Sequence, residues 1–395
     1  MKTIITILLA CLCLNSSIYA VTLNEVIEKS LDKNPSLASI NYRIKAMHSA
    51  VEASSQFSNP IVSLAGNTLP SDQAMSRNTL SIVQKLPYYG KRDALKKVAL
   101  ADEGILSENL EKARVVLVNE MKNQAYSIWE LEELYKIIEE YEHITRQNID
   151  LFESYTATSD NQHMGIMSAE LTLSDLRIQK ATLESQIQTA YTKLSYLAAF
   201  MVDDLEIKLV VWDMPGEKSF EEGLLNNKDL SLKQKEVEKN QAMVQKAELN
   251  NYPDINVLAT YSYREEFDDF FTFGMGMALP IYGTEDYQEE GARALTLSSK
   301  SLKEDTKIEV YSEFKMAYVQ MKSAYKIYHI VQDEALPQIE HMFELTNSSI
   351  STGGDLFKYI DILVQKLKLE QKSIAAVTIY NISMAKIEAL SGETN

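Results

Sequence analysis

The sequence predicts a mainly α-helical chain with two β-hairpins, built as a tandem duplication of one unit. A motif occurs twice, at 86–90 (LPYYG) and at 279–283 (LPIYG), and the two copies lie 193 positions apart (from 87 to 280). The proline pairs 59–60 and 252–253 have the same separation. A period this long indicates that each half is a whole structural unit. Glycine (13) and proline (8) are scarce in 395 residues, which favours long helices.

The two motifs predict joints between a strand and a helix. Each copy follows an alternating, strand-like run and precedes a long helical one. Proline cannot donate to a sheet ladder but suits strand ends and helix starts, while glycine permits a sharp change of direction. Pro87 and Gly90, and equally Pro280 and Gly283, are therefore the candidate joints between the hairpins and the long helices.

Residues 1–20 have the features of a secretory signal peptide, with Lys2 followed by an apolar run and Ala20 at the cleavage site. The apolar run is too short to span a bilayer. Cys11 and Cys13 both lie in it, so cleavage after Ala20 leaves no thiol for a disulfide, a metal site or a nucleophile. In an alternative interpretation, residues 8–11 form a lipoprotein cleavage box and Cys11 is lipidated.

The mature chain is predicted to comprise a first repeat over 21–200, a segment over 201–219 and a second repeat over 220–395. The first repeat has a helix over 22–57, a hairpin over 61–86 and a long helix pair over 91–200, with a polar break from Thr156 to Gly165. The second has a helix over 219–250, a hairpin over 255–279 and a helix pair over 287–391. The helix after residue 90 would be about 95 Å long. Pro337 either bends its helix or starts a new one.

Apolar residues recur at an average spacing of 3.5 residues along the return helix of the first half and along the long helix of the second half. The seam of the first half contains Leu173, Leu176, Leu183, Ile187, Ala190, Leu194 and Leu197. This spacing indicates a left-handed supercoiled seam rather than the side of a globule. The seam of the second half contains Val310, Phe314, Ala317, Met321, Ala324, Tyr328, Val331 and Ala335.

The strand over 271–279 (FTFGMGMAL) is the most informative stretch. Large apolar side chains occupy one face, and Thr, Gly, Gly and Ala occupy the other. This pattern suits a barrel wall with lipid outside, although a strand of a soluble sandwich is the alternative. Two hairpins cannot close a barrel and an open edge cannot lie in lipid, so a membrane barrel would need several copies of the chain. Tyr88, Tyr89 and Tyr282 would then suit the membrane interface.

The sequence predicts no catalytic residue, no cofactor and no resident metal, so the chain is not expected to be an enzyme. It contains no HExxH, GxSxG or phosphate-binding glycine motif. Glu140 and His143 form one Glu-x-x-His pair, whereas a di-iron bundle needs two such motifs. The formal net charge of −17 argues against a nucleic-acid partner.

Four features of the sequence, three of them in the second half, together match the pattern of one known protein family. They are a leucine–proline step at 335–340 (ALPQIE), a glycine turn at 353–356 (GGDL), a return helix at 360–367 (IDILVQKL), and the opening 23–26 (LNEV) with Asn34-Pro35. In these features the mature chain resembles the TolC family of outer-membrane efflux proteins. Residues 84–92 (QKLPYYGKR) are similar to its heavy-metal-efflux branch.

The resemblance implies a homotrimer in which each chain gives four strands to one twelve-stranded barrel, continued by a long periplasmic α-helical coiled-coil tube. It implies a location in the outer membrane of a Gram-negative bacterium, extending into the periplasm. The implied partners are outer-membrane lipid, a periplasmic membrane-fusion adaptor and an inner-membrane pump, of RND type. The helix-pair turns, with Gly165, Gly353 and Gly354, would contact the adaptor. Asp355 and Asp361 would lie near the periplasmic entrance, where rings of acids favour cations.

The resulting hypothesis is a duct of a tripartite efflux system that exports heavy-metal cations. The first alternative is a multidrug or type I secretion duct of the same fold. The second is a periplasmic coiled-coil scaffold or adaptor that never enters a membrane. The third is a di-iron helical enzyme.

Overall fold

A computed structural model describes residues 21–67, 76–155, 160–350 and 356–393. Over these ranges the chain forms nine α-helices, a 3₁₀ turn, a π-helical turn and six strands. In chain order they are β1 Val21–Thr22, α1 Leu23–Lys33, α2 Pro35–Ser54, β2 Ile61–Gly66, β3 Asn78–Leu86, α3 Lys91–Tyr155, α4 Asp160–Ala198, β4 Leu205–Glu206, α5 Lys218–Glu221, the 3₁₀ turn Gly223–Asn226, α6 Lys228–Asn250, β5 Ile255–Tyr263, β6 Phe270–Met277, α7 Thr284–His329, the π-helical turn Ile330–Ala335, α8 Leu336–Ile350 and α9 Leu356–Leu390.

The chain divides into two compact units. The first unit comprises residues 1–35, 114–223 and 312–395, and the second comprises 36–113 and 224–311. Each unit therefore draws segments from both predicted repeats.

The core of the first unit is packed from α3, α4 and α9, with Phe343 of α8 against it. Ile138, Leu176 and Leu363 are almost completely buried there. Both predicted seams supply buried side chains. They are Leu173, Leu176, Leu183, Ala190 and Leu194 on α4, and Phe314, Ala317, Met321 and Ala324 on α7. Val310 of the same seam is buried in the second unit.

The predicted single helix over 22–57 is wrong, because two helices meet at Asn34. Thr22 and Glu25 form the predicted capping box at the start of α1. Asn34 has an extended backbone, with φ of −64° and ψ of 119°, which is the conformation that a following proline imposes. Pro35 is tolerated as the first residue of α2 because that position needs no backbone donor. The Asn34 side chain donates to the carbonyl of Leu197 at 3.1 Å.

The predicted helix over 219–250 is also interrupted. Its long part, α6, begins only after Asn227, whose side chain accepts hydrogen bonds from the amides of Asp229 and Leu230. An asparagine in this position caps a helix N-terminus efficiently.

The long helix of the C-terminal half, α7, starts at Thr284 rather than near Tyr287. The winding of this helix changes before Pro337. Residues Ile330–Ala335 form a π-helical turn, in which the amide of Leu336 donates to the carbonyl of Val331. Proline has no amide to give to the carbonyl four residues earlier, and a π turn is one way to accommodate this loss. The backbone stays helical at His329 and Leu336, which flank the turn, so Pro337 lies inside one continuous helical run from Thr284 to Ile350.

The segment 201–219 lies against helices of the first unit. Leu205 pairs in parallel with Val21, so that β4 and β1 form a two-stranded sheet. The carbonyl groups of Val210 and Trp212 accept hydrogen bonds from the side chains of Asn381 and Tyr380. Side chains of α9 thus hold this segment by its backbone.

The second unit contains a four-stranded antiparallel sheet with the order β2-β3-β5-β6. The two hairpins predicted from the halves of the sequence join through β3 and β5, where Leu86 is paired with Ile255. The outer strands, β2 and β6, are paired on one side only within the part of the chain that the structure describes.

Candidate functional site

One face of the four-stranded sheet is apolar and uncovered. Cross-strand partners in an antiparallel sheet share a face, and Leu64, Leu80, Tyr261 and Phe271 are aligned across all four strands. Leu64, Phe273 and Met275 are 81%, 79% and 77% exposed. The same face also carries Val62, Ile82, Leu86, Ile255, Val257, Ala259 and Met277. An apolar surface of this kind needs a lipid or a protein partner.

The opposite face of the sheet carries mainly small and polar side chains, together with Ile61, Val83, Leu258 and Phe270. The hydroxyl groups of Ser81 and Thr260 are hydrogen-bonded at 3.0 Å. A Cβ atom on Gly274 would lie 3.8 Å from Leu258, and one on Gly276 would meet nothing within 4 Å. Within one chain, therefore, neither glycine is required by crowding.

The first strand–helix joint is held by residues of the second half of the sequence. Asp254 accepts hydrogen bonds from the Tyr88 amide at 3.0 Å and from Lys91 Nζ at 2.8 Å, and Lys85 Nζ lies 3.0 Å from its other oxygen. The rings of Tyr88 and Tyr252 stack with their centroids 4.5 Å apart. The network ties the end of β3 and the start of α3 to the start of β5.

Burial alone would raise the pKa of the Asp254 carboxyl, but the hydrogen bonds from Lys91, Tyr88 and Lys85 outweigh that effect and lower it to about 2. Asp254 was not among the predicted site residues. Its counterpart 193 positions earlier is Ile61, so the repeat gave no indication of it. The one local indication in the sequence was that an acidic residue follows Pro253 directly, at the predicted start of a strand.

Both predicted joint glycines have a left-handed backbone. Gly90 has φ of +86° and Gly283 has φ of +72°. Pro87 and Pro280 come just before them, between the last residue of a strand and the first residue of α3 or α7. A side chain at either glycine would strain the backbone, because L-residues seldom adopt positive φ.

The structure corrects the predicted polar break over Thr156–Gly165, because α4 begins at Asp160. Gly165 thus lies inside the helix and is buried. A Cβ atom there would be 3.2 Å from Cβ of Leu356. Gly165 therefore marks a close approach of α4 to α9, and a role in contacting an adaptor stays a prediction.

The other candidates near the helix-pair turns are only partly visible. Gly353, Gly354 and Asp355 lie outside the described residues. Asp361 is exposed on the first turns of α9 and accepts a hydrogen bond from Gln365 Nε2 at 2.8 Å. An exposed carboxylate in this position can act on ions in the surrounding solvent.

A polar line of contacts joins α3 to α9 in the first unit. Lys122 Nζ donates to Glu388 at 2.8 Å, and Asn148 donates to the hydroxyl of Tyr359 at 3.3 Å. Glu130 of α3 lies between Lys122 and Asn148 in the sequence. Burial raises the pKa of its carboxyl, and a hydrogen bond with Thr378 offsets part of that rise.

The described part of the chain comprises residues 21–67, 76–155, 160–350 and 356–393. Across these ranges, no group of three or more His, Cys, Asp or Glu side chains is placed to hold a metal ion. None of the helices there is both long and apolar enough to cross a membrane. Glu140 and His143 are both exposed.

Comparison with known proteins finds relatives among solved structures. No protein-family model matches the chain, and no curated protein matches it. The open-state outer membrane channel MtrE of Neisseria gonorrhoeae is 14% identical, with a TM-score of 0.81 over 94% of this chain and 89% of MtrE. The outer membrane protein VceC of Vibrio cholerae is 15% identical, with a TM-score of 0.78 over 94% and 97%. CusC, which forms a transmembrane channel, is 13% identical, with a TM-score of 0.79 over 95% of each chain.

These neighbours are TolC-family outer-membrane efflux channels. The chain has the TolC-family fold. At these identities the likeness establishes the fold, and it confirms the predicted fold class of a mainly helical chain with a few strands.

Proposed function

We propose that this chain is the protomer of a trimeric outer-membrane channel, the exit duct of a tripartite efflux system. Three copies would give twelve strands to one barrel, and their long helices would form a periplasmic tube. A periplasmic adaptor and an inner-membrane pump, of RND type, would complete the system. The chain itself would carry out no chemistry.

The observation that carries this proposal is the four-stranded sheet with one apolar face and two open edges. The exposed side chains of that face, Leu64, Phe273 and Met275 among them, suit contact with lipid acyl chains. Within the described residues, β2 and β6 each have one unpaired edge, and these edges suit pairing with further copies because lipid cannot satisfy unpaired backbone groups. A soluble scaffold would leave both features unexplained.

The proposed cargo is a heavy-metal cation, with a drug or a secreted protein as the alternative. Support comes from the resemblance of residues 84–92 to the heavy-metal branch. In the structure these side chains make local contacts. Gln84 Nε2 donates to the carbonyl of Ser58 at 3.0 Å, and the Arg92 guanidinium lies 3.8 Å from the ring centroid of Phe57. Residues 84–92 thus support the heavy-metal branch through their sequence, and their side-chain contacts in the structure are with this chain itself.

Membrane fractionation of the native protein, followed by chemical crosslinking, tests the channel. A detergent-extracted trimer in the outer-membrane fraction is the expected result, and recovery in the soluble periplasm would contradict it. Phe273→Lys, on the apolar face, is expected to abolish assembly, because a lysine facing lipid costs about 2–4 kcal/mol at the bilayer centre. The matched control is Thr272→Lys, which places the same charge on the opposite face.

Growth of a deletion strain tests the cargo. The panel contains copper, silver, zinc, cobalt and cadmium salts beside dyes, detergents and antibiotics. Selective sensitivity to metals, restored by the intact gene, would support the metal duct. Sensitivity to dyes and detergents would favour multidrug export by the same channel.

A further inference from the structure

Helices α7 and α9 are covered on one side by the segment 201–219. The hydroxyl groups of Tyr318 on α7 and Tyr380 on α9 each donate to a backbone carbonyl of that segment at 3.1 Å. A residue two positions further along an α-helix lies about 200° around it. Gln320 and Ile382 therefore lie on the other side of the helix pair, where they line an open groove between α7 and α9.

The groove between α7 and α9 is concave and largely apolar, with a volume of about 770 Å³. Its lining includes the small side chains of Ala324 and Ala376, which are both only 2% exposed and leave the groove its depth. Ile327 of α7 and Ile379 of α9 line it as well and are 43% and 47% exposed. Binding sites for small molecules are mostly apolar and have volumes of about 300–1,000 Å³. The groove thus has the size and the lining of a site for a small organic molecule.

The charge at this groove is positive. Among the described residues, Lys372 of α9 is the charged residue that lines it, and Lys368 lies one turn earlier on the same helix. Lys366 of α9 lies 3.5 Å from the carboxylate of Glu340, whereas Lys368 and Lys372 are exposed and form no ion pair within the part of the chain that the structure describes. The rim of the groove therefore carries an uncompensated positive charge, in a chain whose formal net charge is −17.

The groove lies on the same side of α9 as the candidate entrance acid. Asp361, Gln365, Lys368, Lys372 and Ile379 are all exposed, and they follow one another at steps of four, three, four and seven. Such steps keep residues on one side of a helix. In the proposed channel, where Asp361 lies near the entrance, this side of α9 lines the interior of the tube. Lys372 then lies roughly 16 Å further along the tube than Asp361.

We propose that this groove binds an organic anion that combines an apolar body with one acidic group. The apolar body fills the space between Ile327 and Ile379, and the acidic group accepts a charge-assisted hydrogen bond from Lys372. A cation of the same shape is disfavoured, because it meets the positive charges of Lys368 and Lys372. The inference rests on the proposed channel for the position of the groove inside the tube, and it gives the drug alternative for the cargo a chemical class.

Equilibrium dialysis of the purified full-length protein against naphthalene-2-sulfonate tests the site, with protein-free detergent as the blank. 2-Naphthalenemethanol and 2-naphthylmethylammonium present the same ring without a charge and with a positive charge. We expect the sulfonate to bind most tightly and the ammonium least tightly. Lys372→Gln should weaken binding of the sulfonate about tenfold, as for the loss of one charge-assisted hydrogen bond, and should leave binding of the alcohol unchanged. Lys193→Gln, which removes an exposed lysine of α4, is the matched control and should change neither.

Ala375→Leu tests the apolar part of the site. Ala375 is half-buried and lines the groove, so a leucine there should occupy the space of the ring and weaken binding of the sulfonate and the alcohol alike. An unchanged thermal midpoint shows that this variant is folded. Inorganic sulfate, which has the charge without the apolar body, is expected not to displace naphthalene-2-sulfonate at equal concentration.

The ionic current through the trimer in a planar bilayer tests the position of the groove. Naphthalene-2-sulfonate is expected to reduce this current, and a higher concentration should be needed for the same reduction in Lys372→Gln. Binding without any reduction of the current would place the groove outside the conduction path and overturn its position in the tube.

The outcomes separate this inference from the proposed channel. If the protein conducts ions but binds the sulfonate and the ammonium equally, or if Lys372→Gln binds the sulfonate as the wild type does, the inference is overturned and the channel stands. Displacement of the naphthalene by inorganic sulfate at equal concentration would also overturn it, since the lysines would then act without the groove. If the protein forms no trimer and conducts nothing, but binds the sulfonate with the expected dependence on Lys372, the site stands and the channel proposal fails.

Discussion

The backbone amide of Tyr88 donates a 3.0 Å hydrogen bond to the carboxylate of Asp254, which lies 166 positions further along the chain. The same carboxylate is paired with Lys91, whose side chain is only 13% exposed. One acid therefore fixes the joint between β3 and α3 to the start of β5.

Replacing this acid tests the importance of the joint. Asp254→Asn removes the charge that compensates Lys85 and Lys91, and we expect the free energy of unfolding to fall by about 2 kcal/mol. The apparent thermal midpoint of the detergent-solubilised protein measures the change. Glu52→Gln is the control, since its pair with Lys96 is exposed on both sides and contributes little. An equal effect of the two substitutions would contradict the assignment.

The same carboxyl predicts an acid limit of stability. Its pKa is lowered from 3.8 to about 2 in the folded protein. A depressed pKa contributes stability that is present above the unfolded value and is lost as the pH falls towards the folded value. The difference in midpoint between wild type and Asp254→Asn should therefore be constant above about pH 5 and shrink between about pH 5 and pH 2. A difference that persists unchanged at pH 2 would show that the charge is not responsible.

The two joint glycines should respond to alanine in a different way from a glycine in a helix. Gly90→Ala or Gly283→Ala would force an L-residue to positive φ, at a cost of about 1–2 kcal/mol each. Gly291→Ala is the matched control, because Gly291 lies within α7 with nothing near its missing Cβ. There alanine should stabilise by up to about 1 kcal/mol. A lower thermal midpoint for Gly90→Ala and Gly283→Ala together with a higher one for Gly291→Ala would support this prediction. Equal shifts in all three variants would contradict it.

Part of this fold and of the candidate site could be predicted from the sequence. The joints, the capping box at Thr22 and both hairpins were predictable because each depends on residues that are close together in sequence. Asp254 was not, because its partners come from the other half of the chain and its repeat counterpart is Ile61. The break at Asn34 was missed because the apolar spacing continues across it while Pro35 resets the backbone.

The position of Gly165 predicts a packing role rather than a turn. Gly165→Leu would push a side chain against Leu356, where even a Cβ atom would be 3.2 Å away. We expect a loss of about 1–3 kcal/mol, as for other overpacked cores. Gly104→Leu is the control, since the nearest atom there is the flexible Lys235 side chain at 3.6 Å. If Gly165→Leu left the thermal midpoint unchanged but abolished adaptor binding, the turn interpretation would regain support.

The two candidate entrance acids can be tested by ion selectivity. Asp361 is exposed near the start of α9. If Asp355 lies beside it in three copies, the acids would favour cations at the mouth of the tube. Neutralising both, by Asp355→Asn with Asp361→Asn, should lower the cation preference in a planar bilayer. The reversal potential under a salt gradient measures this preference, and an unchanged value would remove both residues from the entrance. Glu170→Gln, on the exposed surface of α4, serves as the control.

The half-buried carboxyl of Glu130 should make the first unit more stable in mild acid. Burial raises its pKa above 4.5 in the folded chain, so the ionised form costs stability at neutral pH and the cost is relieved as the pH falls through the raised value. Glu130→Gln removes that cost, and we expect a higher thermal midpoint at pH 7. The advantage should disappear below about pH 4.5, where the carboxyl is largely protonated in both states. A stabilisation that did not depend on pH would point to better packing of the amide against Thr378 instead of the removal of a charge.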